Sequence, residues 1–428
     1  MDETGLRESH LYIVIATLLV AIAAVGALTQ ADVLAGLWRI QVHPARLLND
    51  FTTVGGEGAA LVNAVLVAVL GLAVVRVVGV RLSGPTVAAV FTMFGFGLFG
   101  KTPLNALPIF IGVAVAARIA GKTFKEYILM AMYGTALGPL ITALAVEAGL
   151  PVVGALAVAV VGGVVAGVVL PAVAIAMLRF HQGFNLYNIG MTSGFIAVFG
   201  ASILVAANAG PPAALVWNDA PSTLLVFLVP AVSAVLIAAG ILAGPRAAVA
   251  EVRAILRLPG RLPSDFMSMV SARGSLVNAG IMGILLWAYV LLVGGSLNGP
   301  VLGGIFTAVG FATFGKHPRN GWPVMAGVVI ACLVFGKSLA SPGPLLAALF
   351  VLTLSPLAGE FGWHIGLLAG FLHLVMVQRT GARHLGINLY NNGFAGGLTA
   401  TLFVAVLEWY NSRSARENPR GRDSGDSS

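Results

Sequence analysis

Charge is scarce in this sequence: only 9% of the 428 residues are Asp, Glu, Lys or Arg, while 58% are hydrophobic. An ordinary soluble domain carries roughly 25% charged residues, so a chain of soluble domains is excluded although the length would accommodate several. Cysteine is nearly absent. Cys332 stands alone in an apolar run, which excludes a disulfide framework and reads as a small core residue. Acidic residues are also few, 16 against 24 basic, for a net charge of +8. In so apolar a chain that surplus points to basic loops on the cytoplasmic side of a membrane rather than to a nucleic-acid partner.

What the sequence has instead is long apolar runs, such as Leu11–Leu28, Val152–Leu178 and Thr223–Leu242. A helix needs about 20 such residues to cross a hydrocarbon core of about 30 Å. Its backbone polar groups must be satisfied internally, which selects helices or a closed barrel. The period-2 alternation of barrel strands is missing, so the expected class is an all-α integral membrane protein, with the lipid bilayer as its first partner. The first run follows an acidic Met-Asp-Glu start and lacks a small-residue cleavage site, so it reads as a span and not as a signal peptide. Residues 411–428 are polar and rich in Ser and Arg, the composition of a disordered cytoplasmic tail.

Self-similarity gives the architecture. Asp50–Lys122 aligns without a gap on Asp265–Lys337, with 29 of 73 positions identical. The matches include Asp50/Asp265, Asn63/Asn278, Gly84-Pro85/Gly299-Pro300, Thr92/Thr307, Lys101/Lys316, Asn105/Asn320 and Pro108/Pro323. Shared apolar composition does not produce such pairs. The similarity resumes at a different offset in His-x-Gly-x-Asn-Leu-Tyr-Asn-x-Gly, found as His181–Gly190 and His384–Gly393. The chain therefore divides into a first membrane repeat (1–208), an extracytoplasmic linker (209–221), a second repeat (222–410) and the tail.

Each repeat offers seven apolar segments. They are expected near 11–30, 58–79, 84–99, 104–121, 127–147, 151–178 and 186–207, then near 222–244, 276–294, 299–315, 322–337, 343–358, 363–379 and 388–410. About 14 segments result, and an odd number per copy forces the two repeats into inverted orientations. With both termini cytoplasmic, the inside connections hold 18 of the 24 basic residues. The outside connections keep Arg39, Arg46, Lys101, Lys337, Arg379 and Arg383. This is the bias that orientation requires.

Short segments interrupted by Gly and Pro at matching positions are the best pointers to a solute site between inverted repeats. One such place runs from Gly84 to Pro108 and again from Gly299 to Pro323. Pro85 to Phe99 gives about 15 residues, or roughly 22 Å of helix, short of the full core. Pro103 suits the start of the next helix, whose N-terminus carries partial positive charge. Thr92, Lys101 and Asn105, with Thr307, Lys316 and Asn320, would then face a polar solute from the tips of broken helices. The competing reading is a tight hairpin at the membrane surface with its lysine snorkelling to water, and for the lysines alone this is the favoured one.

The second place is the Asn-Leu-Tyr-Asn-x-Gly element. Asn185 and Asn188 are three apart, as are Asn388 and Asn391, so a helix would set each pair on one face. Tyr187 and Tyr390 add a ring with a hydroxyl. Gly190 and Gly194, at small-x-x-x-small spacing, permit close approach of another helix. Helix capping by asparagine plus an interfacial tyrosine is the plainer alternative. Asn63 and Asn278 either line the path or serve as interhelical hydrogen-bond glue. Asp50 and Asp265 precede spans as caps. His181 and His384 lack a nucleophile or a second ligand at useful spacing, so no metal and no catalytic residue is expected, and no cofactor. The Gly-rich runs lack the strand and the lysine of a phosphate loop.

The doubled Phe-Gly-Lys-x-Pro-x-Asn and Asn-Leu-Tyr-Asn-x-Gly elements resemble those of an uncharacterised family of bacterial multi-pass membrane proteins built from two copies of a domain of unknown function. The likeness covers nearly the whole chain, implies a place in the bacterial plasma membrane and implies no activity. A shorter likeness, over Gly183–Gly194 and Gly386–Gly397, is to a Gly-rich element of urea transporters. It implies a pseudo-twofold channel for a neutral polar solute and a homo-oligomeric assembly. The chain lacks the Leu-Pro-x-x-Thr-x-Pro-Phe signature of that family and has more segments per half.

The expected function is a channel or facilitator for a small polar solute. The alternative is an ion-coupled secondary transporter of a small anionic or polar metabolite. Proton coupling often uses an intramembrane carboxylate, and the span interiors carry almost none, with Glu147 and Glu360 at segment ends. A membrane enzyme acting on lipid-linked substrates ranks lower, because no carboxylate or histidine cluster gathers at one membrane face.

Overall fold

A computed structural model describes residues 6–147, 149–207 and 214–417. Among these the chain is helical, with one isolated bridge between Asn49 and Val216 as its only β contact. The first repeat contributes α1 (Glu8–Thr29), α2 (Val33–Val42), α3 (Phe51–Val54), α4 (Glu57–Val78), α5 (Gly84–Gly97), α6 (Pro103–Ile119), α7 (Phe124–Gly134), α8 (Gly138–Val146), α9 (Val152–His181) and α10 (Asn188–Ala206). The second contributes α11 (Thr223–Leu242), α12 (Pro245–Ile255), α13 (Phe266–Met269), α14 (Ala272–Leu292), α15 (Gly299–Phe311), α16 (Pro318–Val334), α17 (Pro342–Phe350), α18 (Ser355–Phe361), α19 (Trp363–Arg383) and α20 (Asn391–Glu417). Element for element the second series repeats the first.

Among the described residues ten spans are long and apolar enough to cross a membrane, counting α7 with α8 and α17 with α18 as one each. The short ones fall where the Gly-Pro pairs put them. α5 and α15 have 14 and 13 residues, and α6 and α16 have 17 each. Their starts are written in the sequence: Pro85, Pro103, Pro300 and Pro318 occupy the first turn, where a missing N–H costs nothing. Thr102, Asn298 and His317 precede three of them and accept a backbone N–H as caps.

Two features were not anticipated. α2 and α12 add a short helix after the first span of each copy. The seventh span of the second repeat runs past Tyr410 to Glu417, so the tail assigned from residue 411 begins later than its composition suggested. Residues 418–428 lie outside the described residues, as do 208–213 of the linker.

The centre of the bundle is the pair α5 and α15, which run antiparallel in direct contact. A Cβ on Gly95 would lie 2.7 Å from Gly303 O, so the backbones touch. Each short helix begins on an aspartate of the other repeat. Gly84 N–H donates to Asp265 Oδ1 at 3.1 Å, and the Asp50 carboxylate lies against Gly299. Asp50 and Asp265 also cap α3 and α13 within their own copies.

The connections gather at two ends of the bundle. At one, Glu8 accepts from Leu82 N–H at 2.8 Å, Leu262 N–H donates to Gly183 O at 3.2 Å, and Gln182 meets Glu408. At the other, Leu47 N–H donates to Gly386 O at 2.8 Å, Ser296 meets Asp219, and Arg46 pairs with Glu147. Leu47 and Leu262 are equivalent positions of the two repeats, as are Gly386 and Gly183.

Candidate functional site

The site grows from the turn that follows each short helix. After Gly97 the chain needs Gly100 in the left-handed half of φ space (+153°) to double back into α6. That turn leaves two carbonyls without helical partners deep in the molecule. Asn63 of α4 satisfies both, donating to Gly97 O at 2.7 Å and Lys101 O at 2.8 Å. Asn278 of α14 does the same for Ala312 O and Lys316 O, each at 2.8 Å. Asn105 and Asn320 close the caps of α6 and α16 and bind the carbonyls of Gly100 and Gly315.

The lysines do not snorkel. Lys101 and Lys316 are both 0% exposed, which corrects the surface-hairpin reading favoured for them. Lys101 Nζ donates to Tyr390 Oη at 2.5 Å, and Lys316 Nζ to Tyr187 Oη. Each lysine thus reaches the tyrosine of the opposite repeat. The ammonium groups also face rings, Lys101 those of Phe96 and Tyr390, Lys316 those of Tyr187 and Phe311.

The tyrosines are delivered by the turn between the last two spans of each copy. Gln182 and Gly183, like Leu385 and Gly386, take positive φ there. His181 and Asn188 bracket the first turn with a 2.9 Å hydrogen bond, and His384 and Asn391 the second with one of 3.0 Å. α10 starts at Asn188, so Asn185 lies in the turn and the helical face assigned to the pair does not exist. Asn388 sits likewise outside α20. Asn185 instead accepts from Thr353 and donates to Gly393 O at 3.2 Å.

These turns dock where two spans are broken. Between α7 and α8, residues Thr135–Leu137 form a 3-10 turn, and between α17 and α18 Val351–Leu354 do so. Leu389 N–H donates to Ala136 O and Leu186 N–H to Thr353 O, both at 3.0 Å. The two turns meet each other as well: a Cβ on Gly190 would lie 2.8 Å from Gly393 Cα. This is the close approach that the Gly190 and Gly194 spacing called for, made with α20.

Between the turns lies a cavity of about 270 Å³. Its walls include the aromatic residues Phe96, Tyr133, Tyr187, Phe311, Phe350 and Tyr390 and the polar residues Thr92, Thr307, Asn188 and Asn392. It extends to Leu262, Pro263 and Ser264 at one end of the bundle. A second cavity, about 670 Å³, starts from the other end, at Leu47, Leu48 and Lys337. The two share Phe350, Leu389 and Asn392 as walls. The repeat relates their mouths, since Leu47 answers to Leu262, Phe99 to Phe314 and Asn391 to Asn188.

Of the residues singled out from sequence, Thr92, Thr307, Tyr187, Tyr390 and Asn188 line the central cavity, and Asn391 lines the second. Lys101 and Lys316 stand behind the tyrosines. Asn63, Asn105, Asn185, Asn278, Asn320 and Asn388 do not line either cavity. The first five pair with backbone groups, and Asn388 accepts from Tyr390 N–H. The turn tips therefore face Asn63 and Asn278, and not a solute as the broken-helix reading had them. Tyr133, Phe350, Thr353 and Asn392 were missed. The signals present were Gly134 with Gly138-Pro139, and Ser355-Pro356, which mark the two breaks. Among the described residues no three His, Cys, Asp or Glu side chains are placed to hold a metal ion.

A protein-family model described as "Protein of unknown function (DUF1576)" matches the chain over residues 29–206 and 244–409. No curated protein and no solved structure matches, so the short likeness to urea transporters finds no support.

Proposed function

From the premise that this chain belongs to the DUF1576 family, as two tandem copies of that domain, we propose that it is a gated passage through which a small polar solute crosses the plasma membrane of a bacterium. One observation carries the reading. Two cavities reach toward opposite ends of the bundle and share Phe350, Leu389 and Asn392 as walls. A path of that shape admits a solute from either side and closes on side chains between.

The two copies run in opposite senses across the bilayer in this reading, with both termini on the cytoplasmic side. Supporting it, equivalent loops take part in contacts at opposite ends of the bundle, and the basic residues favour one end. A facilitator is the leading form, because neither cavity is lined by an Asp or Glu to carry a coupling proton. An ion-coupled transporter is the second form. It is favoured by Lys101 and Lys316, which put ionisable groups directly behind the cavity wall. Catalysis is not part of the proposal.

Flux of small polar solutes into proteoliposomes, with and without Na⁺ and H⁺ gradients, tests the reading. Flux indifferent to both gradients marks a facilitator, and flux driven by one marks coupling. Absence of flux for every solute tried, by protein that remains folded and monodisperse, sinks the proposal. Exchanging both Asn188 and Asn391 for Leu should cut flux at least several-fold, since one lies at each mouth.

A further inference from the structure

Neither buried lysine has an acid to answer it. Lys101 Nζ bonds Tyr390 Oη and lies 4.6 Å from the Tyr390 ring centroid and 5.5 Å from that of Phe96. Lys316 Nζ bonds Tyr187 Oη and lies 4.2 Å from the Tyr187 centroid and 4.8 Å from that of Phe311. Among the described residues neither forms an ion pair. An ammonium group out of water and without a counter-charge is costly. Within a membrane, such a residue marks a solute path by default.

The chemistry of the pair gives a direction. A lysine that is protonated, as it would be beside a bound anion, only donates, whereas a phenol donates and accepts. Each tyrosine oxygen is therefore the acceptor, and each O–H is left to donate elsewhere. A phenol that accepts from a cation becomes the stronger donor in turn. Both tyrosines line the central cavity, and no carboxylate does. The mouths are basic too. Lys337 lines the second cavity, and Arg261, beside Leu262 at the first, lies 4.1 Å over the Phe184 ring. A cation entering there would meet positive charge at the mouths and rings already engaged by ammonium groups.

We propose that the central cavity takes a small organic anion, its acidic group held by the O–H groups of Tyr187 and Tyr390 with Lys101 and Lys316 behind them, and its apolar body against Phe96, Phe311 and Phe350. The proposal rests on the solute-path reading and names the solute class. Each lysine–tyrosine pair joins the two repeats, and both tyrosines line one space, so a single bound anion lies within reach of both.

Matched probes test this. Full-length protein in lipid nanodiscs is titrated calorimetrically at neutral pH with benzoate and with benzamide, which differ in charge and little in shape. Benzoate should bind at least about tenfold more tightly, the range of one charge-assisted hydrogen bond. Exchange of both Lys101 and Lys316 for Met should bring benzoate down to the level of benzamide and weaken benzamide far less. Exchange of both Tyr187 and Tyr390 for Phe, which keeps the rings, should lower benzoate affinity in the same direction. If the lysine variant does not fold, the preference of the unaltered protein decides alone. Benzamide binding as tightly as benzoate overturns the anion assignment and leaves the path intact. Failure of both probes to bind, with flux of neutral polar solutes retained in liposomes, overturns it too. Failure of both together with absence of all flux overturns the path as well.

Discussion

Asn63 and Asn278 occupy equivalent places and make equivalent bonds to the turn that ends a short helix, yet they are not equally satisfied. Asn63 Oδ1 accepts from Gln41 at 3.0 Å, whereas Asn278 Oδ1 has no partner among the described residues. Replacing Asn63 by Leu frees two buried carbonyls and strands the Gln41 amide. At about 1–3 kcal/mol for each unmet buried group, its loss of stability should exceed that of Asn278→Leu. Thermal unfolding in detergent would read the order directly. The sequence marked both asparagines through their repetition but left open whether they served solute or backbone. Only the position of the turn decides, and hydropathy carries no information on that. Asp50 shows the same limit. It was legible as a cap, but not as a contact of Gly299 in the other repeat. Burial pushes its carboxyl up to about 6, against hydrogen bonds from Thr52 that pull it down. A folded-state value above the unfolded one means the folded form holds the proton longer. Stability is therefore expected to fall as pH rises from about 4 through 6, and Asp50→Asn should flatten that slope in pH-dependent melting.

The helices themselves were largely written in the chain. Gly-Pro pairs start α5 and α15, and the 14 expected segments each correspond to a helix or a broken helix. The breaks at Thr135–Leu137 and Val351–Leu354 were not read. They fall between the two stretches of clear self-similarity, where the offset changes and residues no longer pair, so the doubled signal that exposed the other elements is lost. Ala136 and Thr353 show the divergence, since only Thr353 brings a hydroxyl to the opposite turn. The crossing of α10 and α20 rests on glycine. Gly190→Ala would place a Cβ 2.8 Å from Gly393 Cα, a backbone atom that cannot swing aside, whereas the nearest atom to a Cβ at Gly200 is 3.4 Å away. The first change should lower the melting temperature and the second should leave it nearly unchanged.

At the scale of the whole molecule the proposed inversion of the two copies predicts opposite exposure for matching sites. Thr123 and Ser338 are equivalent and both exposed, one following α6 and the other following α16. With Cys332 replaced, a membrane-impermeant maleimide applied to intact cells should label Ser338→Cys and spare Thr123→Cys. Labelling of both would contradict opposed orientations and the cytoplasmic placement of the termini. Widening the shared wall gives a functional counterpart: Phe350→Ala should raise solute flux in liposomes several-fold by joining the two cavities.

Reciprocity between the halves also constrains ancestry. Lys101 needs Tyr390 and Lys316 needs Tyr187, so neither half encloses a finished chamber by itself. Under the proposed inversion, a chain of single length would complete the chamber only as two identical copies threaded through the bilayer both ways up.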